Sequence, residues 1–308
     1  PAGFFGGRSF RALRAMLRRE ATVTQVDFIE PRTGAFLNVE QETALTLLRK
    51  DANQNTPTTV FVTNDARDFI SLGSFPAPAE PTAPWVLPRS EQDLKAVHAF
   101  ASPRWRLGDY GYEPKTGGLV PHRMPMPRLK SRGRKHAVYP LIWATQIGKD
   151  GVHRFQPRRG SHADIYVDVS TDGAKSVLKT PSVALQRTSS KDQSRRVRCA
   201  PIRQVFVAKH GGYMGENHVC FLVPLVGKQQ LVSVEVLAKI LNSTPVDRVF
   251  RCLSGTATVS AYELKAMPLP DPLIVRRALA AGALPDEAVA KGYVAAELAT
   301  QIENKKAA

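Results

Sequence analysis

Basic side chains are concentrated between Val120 and His210, where their charge could bind a polyanion. This stretch contains 19 Lys or Arg residues against 5 Asp and no Glu, so it carries 14 of the 16 net positive charges of the chain. Charge concentrated in this way is typical of a surface that binds the phosphates of nucleic acid. The alternative is an ordinary basic protein, which would spread its charge more evenly along the sequence.

The first basic cluster is the run from Pro127 to His136. Gly133 and the nearby prolines predict an exposed, adaptable loop. Side chains on such a loop would contact mainly phosphates rather than base edges. The predicted phosphate contacts are Arg128, Lys130, Arg132, Arg134 and Lys135.

The second basic cluster follows a segment that alternates like a β-strand, from Pro181 to Thr188. Lys191 to Ser194 predict a turn and Arg195 to Arg198 follow it, so the segment could form a hairpin whose tip enters a DNA groove. The predicted DNA contacts are Arg187, Thr188, Lys191, Arg195 and Arg196. In the alternative interpretation, Arg187 or Arg196 holds a loop in place through a buried carboxylate.

Asn217 stands immediately before the apolar run from Val219 to Val223 and could bind adenine at its N6 and N7 atoms. An Asn at the start of a strand more often bonds its own turn, and the sequence favours that structural role. Three aromatic residues could stack on an unpaired base or, equally, pack their own loop. They are Trp105, Tyr110 and Tyr112.

No metal site is predicted, because the cysteines and histidines that stand closest in the sequence lack paired short spacings. These residues are Cys199, His210, His218 and Cys220. Three cysteines without a CxxC spacing also argue against a disulfide framework and fit a reducing, cytoplasmic location.

Composition indicates a globular protein that is soluble inside the cell. The chain has 308 residues, of which 43% are hydrophobic, and a net charge of +16. No apolar run is long enough to cross a membrane, and the N-terminal residues lack the apolar segment of a signal peptide. We expect no membrane partner, because no basic amphipathic helix adjoins a hydrophobic anchor.

The first region predicts one helix followed by strands. The helix, from Ser9 to Arg19, has helical spacing of its apolar residues Phe10, Leu13, Met16 and Leu17. The strands are expected at Thr22–Ile29, Thr43–Leu48 and Thr59–Thr63, with a turn at Pro31–Gly34. This order is typical of the closing edge of an α/β sheet.

The later regions predict a proline-rich linker and then helices on both sides of a strand-rich stretch. The linker runs from Gly73 to Pro84, where four prolines occur without periodicity. Helices are expected at Glu91–Phe100, Ser233–Leu241, Pro245–Leu253, Pro272–Ala281 and Asp286–Asn304, and a capping box at Ser260–Glu263.

Four phrases occur in order in the first part of the chain: Gly6–Leu17, Val26–Glu30, Arg32–Phe36 and Val39–Glu42. Together they resemble the last third of the catalytic domain of gamma-class DNA adenine-N6 methyltransferases, which belong to type II and type IIG restriction-modification systems. In that family a Gly-x-Phe turn joins a strand that begins Val-x-Gln-Glu.

Three phrases near the other end are Leu237–Ser243, Phe250–Gly255 and Val259–Pro270. They resemble the C-terminal specificity region of the same enzymes, and they follow in the family's order. Between the two flanks, Gln186-Arg187-Thr188 with the later Arg pair, and Glu216-Asn217-His218, are similar to phrases of the family.

The resemblance implies an α+β protein: the edge of an α/β methyltransferase sheet, then a strand-rich DNA target-recognition domain with C-terminal helices. The expected divisions are 1–72 for the remnant of the catalytic domain, 73–88 for the linker, 89–230 for the basic target-recognition domain, and 231–308 for the helical specificity region. The implied function is sequence-specific DNA recognition within a site-specific adenine-N6 methyltransferase.

The resemblance does not extend to the catalytic motifs of the family. Gly3–Gly7 has no preceding strand and cannot serve as the cofactor loop, and neither Asn-Pro-Pro-Tyr nor Asp-Pro-Pro-Tyr occurs. We therefore assign no catalytic residue and no cofactor to this chain, which should be inactive alone. S-adenosylmethionine is expected only for the complete enzyme.

Two partners are expected: double-stranded DNA, and a catalytic part that is either a missing N-terminal half or a separate subunit. A separate subunit could dock on the exposed edge of an incomplete sheet. The alternative function is a stand-alone basic nucleic-acid-binding protein, in which the first 72 residues form a small α/β domain of their own.

Overall fold

A computed structural model describes residues 2–29, 42–50, 56–65, 67–94, 97, 105–124, 126–133, 137–157, 163–169, 174–189, 193–256 and 258–294. The fold is mixed α+β, with three four-stranded sheets in the described residues. Within the same residues no helix is long and apolar enough to cross a membrane.

The first sheet forms the N-terminal part of the chain. Its elements are α1 (Gly3–Gly6), α2 (Arg11–Glu20), β1 (Thr22–Ile29), β2 (Thr43–Arg49), β3 (Thr58–Thr63) and β4 (Ile70–Phe75). The strand order is β2-β1-β3-β4, with β1 antiparallel to β2 and parallel to β3. The β1 prediction is confirmed at both ends, and β2 and β3 differ from prediction by one residue. Strand β4 was not predicted, and the predicted turn at Pro31–Gly34 lies outside the described residues.

Helix α2 packs against the body of the protein through the face that carries Arg14 and Arg18, and not through the apolar face that the sequence predicts. Its apolar residues Leu13 and Met16 are 40% and 42% exposed, whereas Arg14 and Arg18 are 1% and 7% exposed. The Arg14 guanidinium donates to the carbonyls of Phe4, Gly7 and Thr82. The helix turns this face inward because a planar guanidinium can satisfy several buried carbonyls at once.

Strand β2 is an edge strand with an exposed apolar surface. Leu45, Leu47 and Leu48 are all exposed, and β2 pairs only with β1 among the described strands. An exposed, apolar sheet edge is a ready template for pairing with another chain.

The proline-rich segment is attached to the folded body along much of its length. Gly73–Phe75 are the end of β4 rather than linker. Trp85 and Leu87 are buried in the same core cluster as Val26 and Phe28 of the first sheet. The prediction of a linker that starts at Gly73 is therefore wrong at its first residues, because tertiary contacts hold a segment whose composition is typical of a flexible connection.

The second and third sheets form the middle of the chain. Their strands are β5 (Tyr112–Thr116), β6 (Arg128–Leu129), β7 (Val138–Ile142), β8 (Tyr166–Asp168), β9 (Ser182–Gln186), β10 (Cys199–Ile202), β11 (Met214–Gly215) and β12 (Val219–Pro224). The second sheet has the order β10-β9-β12-β5 and the third has the order β11-β7-β8-β6. Helix α3 (Gln204–His210), which was not predicted, follows β10 and ends at Gly211, whose φ of 75° is left-handed.

The C-terminal helices have the starts that their sequences predict. They are α4 (Val234–Leu241), α5 (Thr244–Leu253), α6 (Ala261–Ala266), α7 (Pro272–Ala280) and α8, of which residues 285–294 are described. Ser233 and Ser243 cap α4 and α5, and Ser260 with Glu263 forms the predicted capping box of α6. Their apolar faces pack with β9, β12 and β5 in one core cluster. Of the helix predicted at Glu91–Phe100, Glu91–Asp93 form a 3-10 turn, and most of the remainder lies outside the described residues.

Candidate functional site

The second basic cluster contains the hairpin that the sequence predicts. Strand β9 pairs antiparallel with β10, with Leu185 opposite Cys199 and Ser182 opposite Ile202. The returning strand starts at Cys199, so Arg195 to Arg198 lie in the connection and not in the strand. Gln186 anchors the end of β9, because its side-chain amide donates to the carbonyl of Ala144 at 2.9 Å.

Arg187, Thr188 and Asn217 lie together where β9 ends and β12 begins. The Arg187 guanidinium donates to the Asn217 carbonyl at 2.6 Å, and the Arg187 amide donates to the His218 carbonyl at 2.8 Å. Thr188 is exposed and forms a β-bridge with Thr258. We call the residues Arg187, Thr188, Asn217 and His218 the edge site.

Asn217 does not bond its own turn through its side-chain oxygen. The backbone amide donates to the carbonyl of Leu119 at 2.8 Å, but the side-chain Oδ1 is buried without a hydrogen-bond partner among the described residues. A buried acceptor without a partner costs about 1–3 kcal/mol. Rotation of this side chain toward a hydrogen-bond donor outside the protein would therefore lose no existing bond of Oδ1.

His218 belongs to the edge site, although the sequence indicated it only as a weak metal candidate. Its side chain is 60% exposed, and its Nδ1 atom bonds the carboxylate of Glu216, which is buried. The pair fixes the ring beside Asn217. No strand or helix periodicity in the sequence indicates this pair, because Asn217 and His218 lie in a turn that the Val219 amide closes by donating to the Glu216 carbonyl at 3.0 Å.

Arg196 is not available to a DNA base, which corrects the prediction for this residue. It is 4% exposed, its guanidinium donates to the carbonyl of Thr256, and its backbone amide donates to Oδ1 of Asp247 at 2.5 Å. The alternative interpretation, in which Arg196 holds a loop in place, therefore fits the structure better. The side chain of Arg196 binds a carbonyl, and its backbone amide binds the carboxylate.

Arg195 is half-buried and lines a cavity of about 510 Å³ between the first sheet and α5. Its guanidinium donates to the hydroxyl of Thr244 at 3.4 Å. The cavity, which we call the arginine cleft, is lined by Phe28, Glu42, Arg89, Ser90, Asp93, Ser194, Arg195, Arg196, Thr244, Asp247, Arg248, Arg251 and Ser254. The edge site and the arginine cleft are connected through Thr256, because its carbonyl accepts from Arg196 and its hydroxyl donates to the carbonyl of Thr258.

The first basic cluster lies at the edge of the third sheet. Arg128 is exposed in the edge strand β6, Lys130 is exposed in the turn after it, and Arg132 is half-buried. Gly133 has a φ of 61°, the left-handed backbone expected of a turn glycine. Arg134, Lys135 and, in the second cluster, Lys191 lie outside the described residues.

A cluster of aromatic rings near Arg132 was not predicted. Phe155, Tyr166, Phe206 and His210 contact one another, mostly edge to face, with the rings of Phe155 and Phe206 5.3 Å apart. Burial, with the nearby charges of Lys209 and Arg132, lowers the pKa of His210. No periodicity could reveal the cluster, because its rings come from a loop, from β8 and from α3.

Burial also determines the charge of His153, which contacts this cluster. It lowers the pKa of His153 to about 4, so this imidazole is neutral near neutral pH. The ring of His153 lies 5.3 Å from that of Phe206. The cluster thus adds aromatic surface, rather than a further positive charge, beside the phosphate contacts predicted at β6.

The aromatic residues of the Trp105 region are packing residues. Tyr110 and Tyr112 are 0% and 2% exposed, and their hydroxyls donate to the carbonyls of Pro270 and Val232 at 2.5 and 2.7 Å. Trp105 is partly buried and forms a β-bridge with Leu269. Of the two interpretations of these rings, loop packing is the one that the structure supports.

The cysteines lie in hydrophobic cores. Cys199, Cys220 and Cys252 are buried free thiols, and burial raises the pKa of Cys220 to about 12. A thiol with such a pKa is inert at neutral pH. In the part of the chain that the structure describes, no group of three His, Cys, Asp or Glu side chains could hold a metal ion.

No protein-family model matches the chain, and no curated protein matches it. Two restriction-modification enzymes are among the solved structures that are similar to it. The type IIL restriction-modification enzyme MmeI in complex with DNA aligns with 9% identity and a TM-score of 0.44, over 98% of this chain and 48% of that enzyme. The type IIG restriction endonuclease BpuSI aligns with 11% identity and a TM-score of 0.35, over 87% of this chain and 39% of that enzyme.

The chain thus spans less than half the length of either enzyme. At these TM-scores and identities neither match assigns a fold or a function to it.

Proposed function

We propose that this chain is the DNA-recognition part of a site-specific DNA adenine-N6 methyltransferase of a restriction-modification system. The observation that carries the proposal is the edge site: Arg187, Thr188 and Asn217 come from two separate basic or polar phrases and meet at one exposed sheet end. This end lies inside the stretch that holds 14 of the 16 net positive charges. Regions that resemble the methyltransferase family stand on both sides of it.

In this proposal the edge site reads base edges. Asn217 turns its amide outward, so that Oδ1 accepts from the N6 amino group of adenine and the amide nitrogen donates to N7. Thr188 is exposed beside it and can contact either kind of base. Arg187 bonds the Asn217 carbonyl at 2.6 Å, so it positions the Asn217 backbone and retains other donors for guanine.

The cluster at β6 supplies phosphate contacts. Arg128 and Lys130 are exposed on a short edge strand and the turn after it, where the chain can follow a DNA backbone. Lys and Arg on phosphates give affinity and register without sequence choice. The β6 cluster therefore supplies affinity and register, and the edge site supplies the choice of sequence.

Methyl transfer itself is assigned to another part of the enzyme. The sequence contains no Asn-Pro-Pro-Tyr or Asp-Pro-Pro-Tyr motif. We propose that a catalytic part binds S-adenosylmethionine and docks against the exposed edge strand β2. An enzyme that modifies adenine in a duplex must extrude the base, and the present chain would hold the surrounding duplex.

The test is selection of DNA from a random-sequence duplex library at two salt concentrations, followed by sequencing of the bound pool. Enrichment of a short asymmetric site that contains adenine, and that persists at the higher salt concentration, is the expected result. Binding that is lost with salt and leaves a random pool would overturn the proposal, because only phosphate charge would then be read.

That second outcome would favour a stand-alone basic nucleic-acid-binding protein. One observation favours this alternative: Val26, Phe28 and Val60 of the first sheet are buried in a core cluster separate from that of the second sheet, although Cys252 of α5 also contributes to it. A unit with its own core can serve as a domain in its own right.

A further inference from the structure

The arginine cleft holds more positive than negative charge. Five guanidinium groups and three carboxylates line it, which leaves a surplus of two positive charges. The positive side chains are Arg89, Arg195, Arg196, Arg248 and Arg251, and the negative ones are Glu42, Asp93 and Asp247. Surplus charge in a partly enclosed cavity is costly unless an anion neutralises it.

The three carboxylates are already counted in this balance, and the backbone of the cleft wall holds two of them in place. Oδ1 of Asp247 accepts from the amides of Arg196 and Val197 at 2.5 and 3.1 Å. Oδ2 of Asp93 accepts from the amide of Arg89 at 3.2 Å and from the hydroxyl of Ser90 at 3.0 Å.

The arginines retain donors for a further ligand. Arg248 donates to Asp93 at 3.1 Å and to the neutral amide oxygen of Gln92. Arg251 donates to Asp247 at 2.7 Å and to the carbonyl of Ser194 at 3.1 Å. Each therefore has one ion pair and one neutral acceptor, which an anion could replace.

Arg195 and Arg89 also retain guanidinium donors for a ligand. No carboxylate lies within ion-pair distance of Arg195 among the described residues, where its guanidinium bonds only Thr244. Arg89 forms an ion pair with Glu42 at 2.5 Å and lies 3.7 Å from the centre of the Phe28 ring, but its Nη2 atom is buried without a hydrogen-bond partner in the same residues. A buried guanidinium donor without an acceptor, in the wall of a cavity, indicates a ligand that supplies one.

We propose that the arginine cleft binds a phosphate group, held by Arg195, Arg248 and Arg251, with Arg89 at the buried wall. Forked guanidinium donors match the oxygens of phosphate. A terminal phosphate, with about two negative charges, balances the surplus, and a backbone phosphate, with one, balances half of it. The cavity of about 510 Å³ has room for more than a single anion, so the phosphate is part of a larger molecule. It comes either from the backbone of duplex DNA, in which case the inference rests on the proposed function, or from a free nucleotide.

The experiment compares three probes: inorganic phosphate, ATP and a duplex of about 20 base pairs, a length that spans about two helical turns. Calorimetry measures the first two and fluorescence anisotropy measures the third. The test variants are Arg195→Gln and Thr244→Glu. The second places a carboxylate in the first turn of α5, where a helix favours it, so the protein should fold while Arg195 becomes neutralised.

The matched control is Arg277→Gln, which removes an exposed charge from α7 outside the cleft. We expect both test variants to weaken binding of at least one probe about tenfold relative to this control, as expected for loss of a charge-assisted hydrogen bond. If the test variants bind inorganic phosphate or ATP more weakly, the ligand is a free phosphate compound. If they bind only the duplex more weakly, the ligand is a backbone phosphate. If both variants bind all three probes as the control does, the proposal is overturned.

Thermal melting of each variant separates misfolding from loss of the ligand. The outcome is also distinguishable from failure of the proposed function. Binding of ATP together with a random pool from the library would support the cleft and overturn DNA reading. An enriched DNA site together with unchanged binding by both variants would support DNA reading and overturn the phosphate site in the cleft.

Discussion

At the scale of residues, buried arginines join segments that are far apart in the sequence. Arg14 and Arg196 each donate to backbone carbonyls. Arginine suits this role because its five donors lie in one plane and its charge is weakly hydrated. An arginine in a basic sequence is therefore not by itself a nucleic-acid contact.

We predict that Arg14→Met lowers the free energy of unfolding by about 2–4 kcal/mol, because the carbonyls of Phe4, Gly7 and Thr82 each lose a charge-assisted hydrogen bond. The hydroxyl of Tyr262, which accepts from Arg14 at 3.1 Å, loses a partner as well. Urea denaturation measures the change. Arg19→Met, which removes an exposed guanidinium of the same helix, is the control. Equal losses in the two variants would show that Arg14 does not join these segments.

Asn217 gives a second prediction at this scale. Its Oδ1 atom is a buried acceptor without a partner among the described residues, so Asn217→Ala removes an unfavourable group. The variant should therefore keep or raise the free energy of unfolding, by up to about 1–3 kcal/mol. The same variant should cost about 1–3 kcal/mol of discrimination at one position of the cognate duplex. Competition between the cognate duplex and duplexes with single-base changes measures this discrimination. Equal weakening on all sequences would contradict base reading by Asn217.

At the scale of elements, the capping box of α6 includes a carboxyl in an apolar setting. Ser260 accepts from the Glu263 amide at 3.1 Å, and the Glu263 carboxylate accepts from the Ser260 amide at 3.0 Å. Glu263 is 2% exposed, and burial raises its pKa above the ordinary value despite these bonds. The folded protein thus binds the proton of Glu263 more tightly than the unfolded chain does.

This shift predicts a pH dependence with a definite sign. As the pH rises from the ordinary glutamate pKa through the raised one, the ionised carboxylate destabilises the fold. Glu263→Gln keeps an acceptor for the Ser260 amide and removes the charge, so its stability relative to the original protein should increase between about pH 4 and pH 8. Urea midpoints at the two pH values measure this. A relative stability that falls over the same range would mean that the ionised form is the better cap.

Strand β2 gives the other prediction at this scale. Leu47 is 60% exposed on an edge strand, so Leu47→Lys should change the free energy of unfolding by less than about 0.5 kcal/mol while lowering self-association. Sedimentation velocity measures association over a range of concentrations. Val60→Lys, at a fully buried position of the same sheet, should unfold the first sheet. Unchanged self-association in Leu47→Lys would show that this edge does not pair with a second copy of the chain.

At the scale of the whole molecule, the uneven distribution of charge sets how binding responds to salt. Each phosphate contact that is removed should lower the slope of log affinity against log salt concentration by about 0.9. We therefore predict that Arg128→Gln and Lys130→Gln each reduce the slope by about one contact and weaken cognate and random duplexes equally. Arg196→Gln should instead lower the stability of the fold, since its guanidinium bonds Thr256. If neither Arg128→Gln nor Lys130→Gln changes the slope, β6 and the turn after it do not contact DNA phosphates.

Local signals in the sequence determined most of the elements. Strand β1 lies where alternation and β-branched residues predicted it, and Ser233 and Ser260 cap the helices whose starts they predicted. These signals are local because a cap or a periodic face involves residues only a few positions apart. The concentration of charge between Val120 and His210 is likewise a property of the sequence alone.

Only the tertiary structure decided which residues face inward and which meet. Apolar spacing identified an apolar face on α2, but Arg14 and Arg18 face the body because the carbonyls of Thr82 and Pro78 lie there. Arg195 and Arg196 are neighbours in the sequence, yet Arg195 is half-buried and bonds the Thr244 hydroxyl, whereas Arg196 is buried and bonds the carbonyl of Thr256. Arg187 and Asn217 are 30 positions apart and share a hydrogen bond. Such contacts depend on where distant segments pack, and no periodicity within a single segment carries that information.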